Sequence, residues 1–175
     1  MTSRFLVLAS LSTVSVFAQD ARLGQGWLAE FDIAASQILA LAEATPEAQY
    51  AWRPAPGIRT ASEIYMHVAV GNYWLLGQTG ARPPVELGEL KGNPEKLVTK
   101  KTDVVKWLKG SLDAVRQTYA KADRTKTVTF FGKSTTADSV FLRILVHNHE
   151  HMGQAIAYAR SSGVAPPWSK PAAKE

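Results

Sequence analysis

Cysteine is absent from the 175 residues, which excludes disulfides, thiolate metal ligands and a cysteine nucleophile. Beyond the first eighteen residues no apolar run approaches the length of a membrane span. Charge of one sign is not concentrated either. The formal net charge is +5, and the densest basic stretch (Lys91, Lys96, Lys100, Lys101, Lys106 and Lys109) is interleaved with Glu89, Glu95 and Asp103. Such mixing describes a solvated face and gives no reason to expect a nucleic-acid or membrane partner. Histidine is scarce, with four in the chain.

At the N-terminus Arg4 precedes an apolar run from Phe5 to Phe17, and Val16-Phe17-Ala18 supplies small residues at a peptidase site. This pattern predicts a signal peptide over residues 1–18, a mature chain starting at Gln19, and export to the periplasm or the medium. Removing Arg4 takes the formal charge from +5 to +4. The remaining length suits one domain, expected over 19–165, with a flexible tail over 166–175 after Pro166-Pro167.

Trp27, Phe31, Ala34, Ile38 and Leu41 recur at three- and four-residue steps, predicting a helix over about 26–44 that Pro46 closes. Trp52-Arg53-Pro54-Ala55-Pro56-Gly57 reads as a turn. Thr60-Ala61-Ser62-Glu63 then reads as a capping box that starts a second helix running to about Gly77. Pro83, Pro84, Gly88 and Gly92 mark a long linker. Val98, Val105, Leu108, Leu112, Val115 and Tyr119 give a third helical stripe, with Gly110 inside it at a small cost. Thr127 to Lys133 alternates like a short strand turning at glycine, and a packed loop fits the pattern equally well. A last helix should start near Thr135 or Thr136 and end near Gly163. Four helices, each with one dominant stripe, imply an all-α four-helix bundle with long connections.

His147 and His151 lie four residues apart, about 40° from one another around a helix, so both imidazoles share a face. Two such rings can share one ion. A bundle brings facing helices together around a centre, which makes His67 on the second helix the third candidate ligand. Three imidazoles leave coordination positions open, the arrangement associated with catalysis rather than structural support. His149 sits about 200° from His147 and should point away. Glu63 and Glu150 are the candidate carboxylates for a base or for an acceptor on an imidazole N–H, although Glu63 is already explained by its cap. No catalytic residue is assignable. Tyr73 and Trp74 could line a nearby cavity, or simply belong to the core.

His147-Asn148-His149-Glu150-His151-Met152-Gly153-Gln154 resembles the fourth-helix signature of the DinB-like (DinB/YfiT-like) proteins. Trp52 to Gly57, leading through Ser62-Glu63 to His67, is similar to that family's turn before its first ligand. Tyr158, Arg160, Gly163 and Pro166-Pro167 continue the pattern. The resemblance implies an antiparallel four-helix bundle, often homodimeric, with a zinc- or nickel-type ion on His67, His147 and His151 and with no nucleic-acid binding. It also implies kinship with metal-assisted thiol transferases, which export would separate from their cytosolic cosubstrates. The expectation is therefore an exported metal-dependent enzyme, hydrolytic in type, acting on an unknown small molecule. A non-catalytic exported module for metal or a small ligand is the alternative, and thiol transfer applies if the chain is not exported.

Overall fold

The computed structural model describes residues 25–169. The expected signal peptide, residues 1–18, lies outside them. Of the expected tail only 166–169 are described, and Pro166 is buried there.

Helix α1 spans Trp27–Ala44 and buries Phe31, Ala34, Ile38 and Leu41, the stripe its spacing announces. A single 3-10 turn at Glu47–Gln49 leads into the proline-rich turn. Helix α2, Ala61–Gln78, begins with the capping box in full: the Thr60 hydroxyl accepts from the Glu63 amide and the Glu63 carboxylate accepts from the Thr60 amide. The long linker is not featureless. It contains two short helices, α3 at Val85–Glu89 and α4 at Pro94–Leu97, the latter capped by the Asn93 side chain. Helix α5, Lys101–Lys121, buries Val104, Leu108, Ser111, Leu112 and Val115. Gly110 has a reason to be glycine, because a Cβ there would come within 3.1 Å of the Tyr73 hydroxyl.

The ambiguous segment is a hairpin. Strand β1, Thr127–Phe130, pairs antiparallel with β2, Lys133–Thr136, in a register that leaves Phe131 and Gly132 as the turn. Both turn residues have positive φ, 48° and 73°, as the right-handed twist of a tight hairpin demands. Helix α6, Ala137–Ser161, follows at once.

The long helices form a ring in which α1 and α2 each touch both α5 and α6. Asp32 pairs with Arg116, and Lys101 reaches the carbonyls of Glu43 and Thr45, so α1 and α5 run in opposite directions. Asn72 meets Asn148 while Trp52 meets Tyr158, so α2 and α6 are also antiparallel. Thr60 and Lys100 line one cavity and Thr79 and Lys121 another, so α2 and α5 run the same way, which is what the long 79–100 connection makes possible. The expected all-helical bundle is therefore present, with one small hairpin added. No helix among the described residues is long and apolar enough to cross a membrane.

One polar chain crosses the apolar centre. Asn148 donates to Asn72 at 2.7 Å and to the Ile144 carbonyl, Asn72 donates to Ser111, and Ser111 donates to the Leu108 carbonyl. Asn72, Asn148 and Ser111 are fully buried, so these bonds must be satisfied together, and they fix how α2, α5 and α6 slide against one another. Asn148→Leu should destabilise the protein by about 1–3 kcal/mol by stranding the Asn72 carbonyl oxygen. Urea unfolding measures this, and an unchanged midpoint would remove the network from the account.

Candidate metal centre

Gly71 and the polar chain set the site. At Gly71 α6 comes close to α2, and a Cβ there would lie 2.5 Å from His147 Cε1. The close approach seats the His147 ring against the α2 backbone, 7% exposed. One turn earlier on α2 stands His67, and one turn later on α6 stands His151. Antiparallel packing brings the three together: each offers one nitrogen, all within 4.8 Å of one another. His67 Nε2 and His147 Nε2 are 3.3 Å apart. Two ligands at about 2.0–2.1 Å from a tetrahedral ion stand about 3.4 Å apart, so this pair already has ligand spacing. His67 and His151 are half-buried, which leaves one side of the cluster open to water.

The outward nitrogens are organised. His67 Nδ1 lies 2.7 Å from Glu95 Oε1, and His151 Nδ1 lies 3.0 Å from Gln154 Oε1. Both partners are acceptors there, so each ring donates from Nδ1 and, when neutral, turns a lone pair on Nε2 toward the cluster. His147 Nδ1 is buried with no partner among the described residues. The metal-facing nitrogen of this ring is Nε2, so the fit to an ion rests on the Nε2 spacing to His67 and on the convergence of the three rings. This donor set, all imidazole with no thiolate, fits a divalent transition-metal ion.

Burial drives His147 down to about 3, with His151 and His67 adding to the effect. Burial also lowers His151, against the opposing hydrogen bond to Gln154. Burial works to raise Glu95, but the hydrogen bonds from Arg59 and His67 outweigh it and hold the carboxyl low. His147 and His151 therefore resist protons that would compete with a metal. Because the folded value of His147 lies below its unfolded value near 6.5, its contribution to stability is complete above that pH. It is lost as pH falls toward about 3, where the unfolded chain takes a proton that the folded one refuses. Metal-free protein should lose on the order of a few kcal/mol across that window through this group. His147→Gln should flatten the curve, and identical pH dependence in the two proteins would contradict the assignment.

The remaining sequence candidates separate cleanly. His149 is exposed on the opposite face, as its angle requires. Glu150 is exposed and lies 3.5 Å from Arg143, outside the cluster. Glu63 is held in its capping box. Tyr73 meets Trp107 edge-on, and Trp74 packs with Phe130 and Phe131, so these rings serve the α2–α5 seam and the hairpin. Two residues went unnoticed as partners of the rings. Gln154 follows His151 by three residues on the same helix, which was a readable signal. Glu95 comes from the linker, and nothing local could have revealed it.

These features define a helical-bundle protein whose three clustered histidines could hold a metal ion. The chain belongs to the DinB superfamily, which it matches over residues 30–155. A crystal structure of a DinB-like protein from Bacillus cereus ATCC 10987 superimposes with a TM-score of 0.70 at 17% identity, covering 83% of this chain and 97% of that one. A second, the DinB-like YjoA from Bacillus subtilis, gives 0.58 at 16% identity and covers 78% and 91%. At these identities the likeness is one of fold. No curated protein matches the chain significantly.

Proposed function

We propose that this is an exported metal-dependent enzyme, hydrolytic in type, whose zinc or nickel ion sits on His67, His147 and His151. The observation that carries the reading is the convergence of three imidazole nitrogens within 4.8 Å, on a cluster with one side open to water. A divalent ion held there would act as a Lewis acid, acidifying a water or polarising a carbonyl or phosphoryl oxygen. The chain's own part is to hold and orient. Glu95 and Gln154 keep two rings turned inward, Gly71 lets the third approach, and burial of His147 keeps water off one side.

One observation favours a second reading, an exported binding module without catalysis. The nearby carboxylates are all committed: Glu63 to its cap, Glu95 to His67 and Arg59, and Glu150 to the neighbourhood of Arg143 on the outer face. None is free to serve as a general base. Metal analysis of natively purified protein, followed by assays on ester, amide and phosphoester substrates with metal-loaded and chelated protein, separates the readings. Metal-dependent turnover of one class is the expected result. Stoichiometric metal with no turnover supports the binding module, and absence of bound metal removes the enzyme and leaves only a module for a small ligand. N-terminal sequencing of the same material should begin at Gln19. An intact N-terminus would return thiol transfer to consideration. Homodimerisation is part of the proposal and is read from sedimentation.

A further inference from the structure

Helix α4 is four residues long in the middle of the 79–100 connection, and hydrophobic burial does not explain its position. None of its residues is buried, and Leu97 is 54% exposed. Its order comes from polar contacts, together with Val98 at its C-cap, which packs against the core. Pro94 occupies the first turn and the Asn93 side chain accepts the Glu95 amide, which together aim Glu95 at α2. The Glu95 carboxylate then divides its oxygens. Oε1 accepts from His67 Nδ1 at 2.7 Å, and Oε2 accepts from Arg59 Nε at 2.7 Å. Its side chain is 16% exposed, against 41% for Arg59, so the acid has been drawn inward to the ring while the arginine remains at the rim.

We infer that Glu95 is the positioning residue of the metal centre, holding His67 in the tautomer and rotation that present Nε2 to the ion, with Arg59 as the clamp on Glu95. The inference rests on the reading of His67, His147 and His151 as ligands. A carboxylate can only accept, so the proton of the His67 ring is fixed on Nδ1 and the lone pair on Nε2. Without that acceptor the ring can take the other tautomer or turn about χ2, and either change removes the lone pair from the cluster. Arg59 occupies the second oxygen, which stops the carboxylate from rotating away from the ring. A stretch of chain distant in sequence from all three histidines therefore supports the site.

Zinc affinity of the full chain is measured by competition with a chromophoric chelator for the wild type, Glu95→Ala, Glu95→Gln, His67→Ala and the His67→Ala/Glu95→Ala double variant. The His67 tautomer is read in metal-free protein from nitrogen-15 shifts. Glu95→Ala should lower affinity roughly 10–100-fold and abolish the signature of a proton confined to Nδ1. Glu95→Gln, which keeps one accepting oxygen for the two donors of His67 and Arg59, should recover part of the affinity. In the His67→Ala background Glu95→Ala should have no further effect. Equal losses in both backgrounds would show that Glu95 acts through the fold and overturn the inference. So would an unchanged affinity in Glu95→Ala while His67→Ala loses zinc. An unchanged affinity in His67→Ala overturns the three-histidine reading itself, and this inference with it.

Discussion

Alanine at His67, His147 or His151 is expected to lower zinc affinity by roughly a hundredfold or more in each case, beyond the loss caused by removing a supporting partner. His149→Ala should leave it unchanged. Three ligands have no redundancy, because removing one leaves two imidazoles that bind a divalent ion only weakly. The control is informative because His149 shares the sequence neighbourhood but not the face: it is exposed, while His147 beside it is buried. A chelator-competition titration checks all four variants. Loss of zinc in His149→Ala with retention in His67→Ala would mean that the ligand set is wrong.

Gly71→Ala is the second large effect expected, and it concerns a residue with no polar side chain at all. An alanine Cβ would meet His147 at 2.5 Å from Cε1, 3.1 Å from Nε2 and 3.3 Å from Nδ1. The ring must shift away from α2 to make room, which displaces its nitrogens from the cluster. Stability should move little, because the gain in helix propensity of about 1 kcal/mol offsets part of an overpacking cost of about 1–3 kcal/mol. Zinc affinity should nevertheless fall by roughly 10–100-fold, as for other displacements of a ligand by about an ångström. The informative result is the pairing of a melting temperature within about 5 °C of wild type with a large loss of affinity. Wild-type affinity in Gly71→Ala would show that His147 does not need this contact to coordinate.

Where the chain repeats a pattern locally, the sequence was sufficient. The α1 stripe, the Thr60–Glu63 box and the limits of α6 follow from spacing and capping within a few residues. The shared face of His147 and His151 follows from helical geometry alone, as does the exclusion of His149. The hairpin was half legible. Its strand alternation could be read, but Phe131 at a left-handed φ gave no turn signal, since asparagine or glycine is the usual occupant of that position. The linker was least legible, because α3 and α4 are too short to have a periodic face and bury no residue fully.

By itself, then, the sequence determined which residues form helices, which faces of them are apolar, and which two histidines stand together. Those are properties of a single helix, set by the 3.6-residue repeat and by backbone capping. Only the tertiary structure decided that His67 meets that pair, that Gly71 rather than a larger residue stands against His147, and that Glu95 returns from the linker to hold the His67 ring. The physical reason is that these contacts span from 28 residues, for His67 and Glu95, to 84, for His67 and His151. Nothing in the local chain encodes which helices are neighbours or how far they slide. That register is fixed by burial of the apolar stripes and by the Asn72–Asn148–Ser111 hydrogen bonds, which can all be satisfied only when α2, α5 and α6 are packed together.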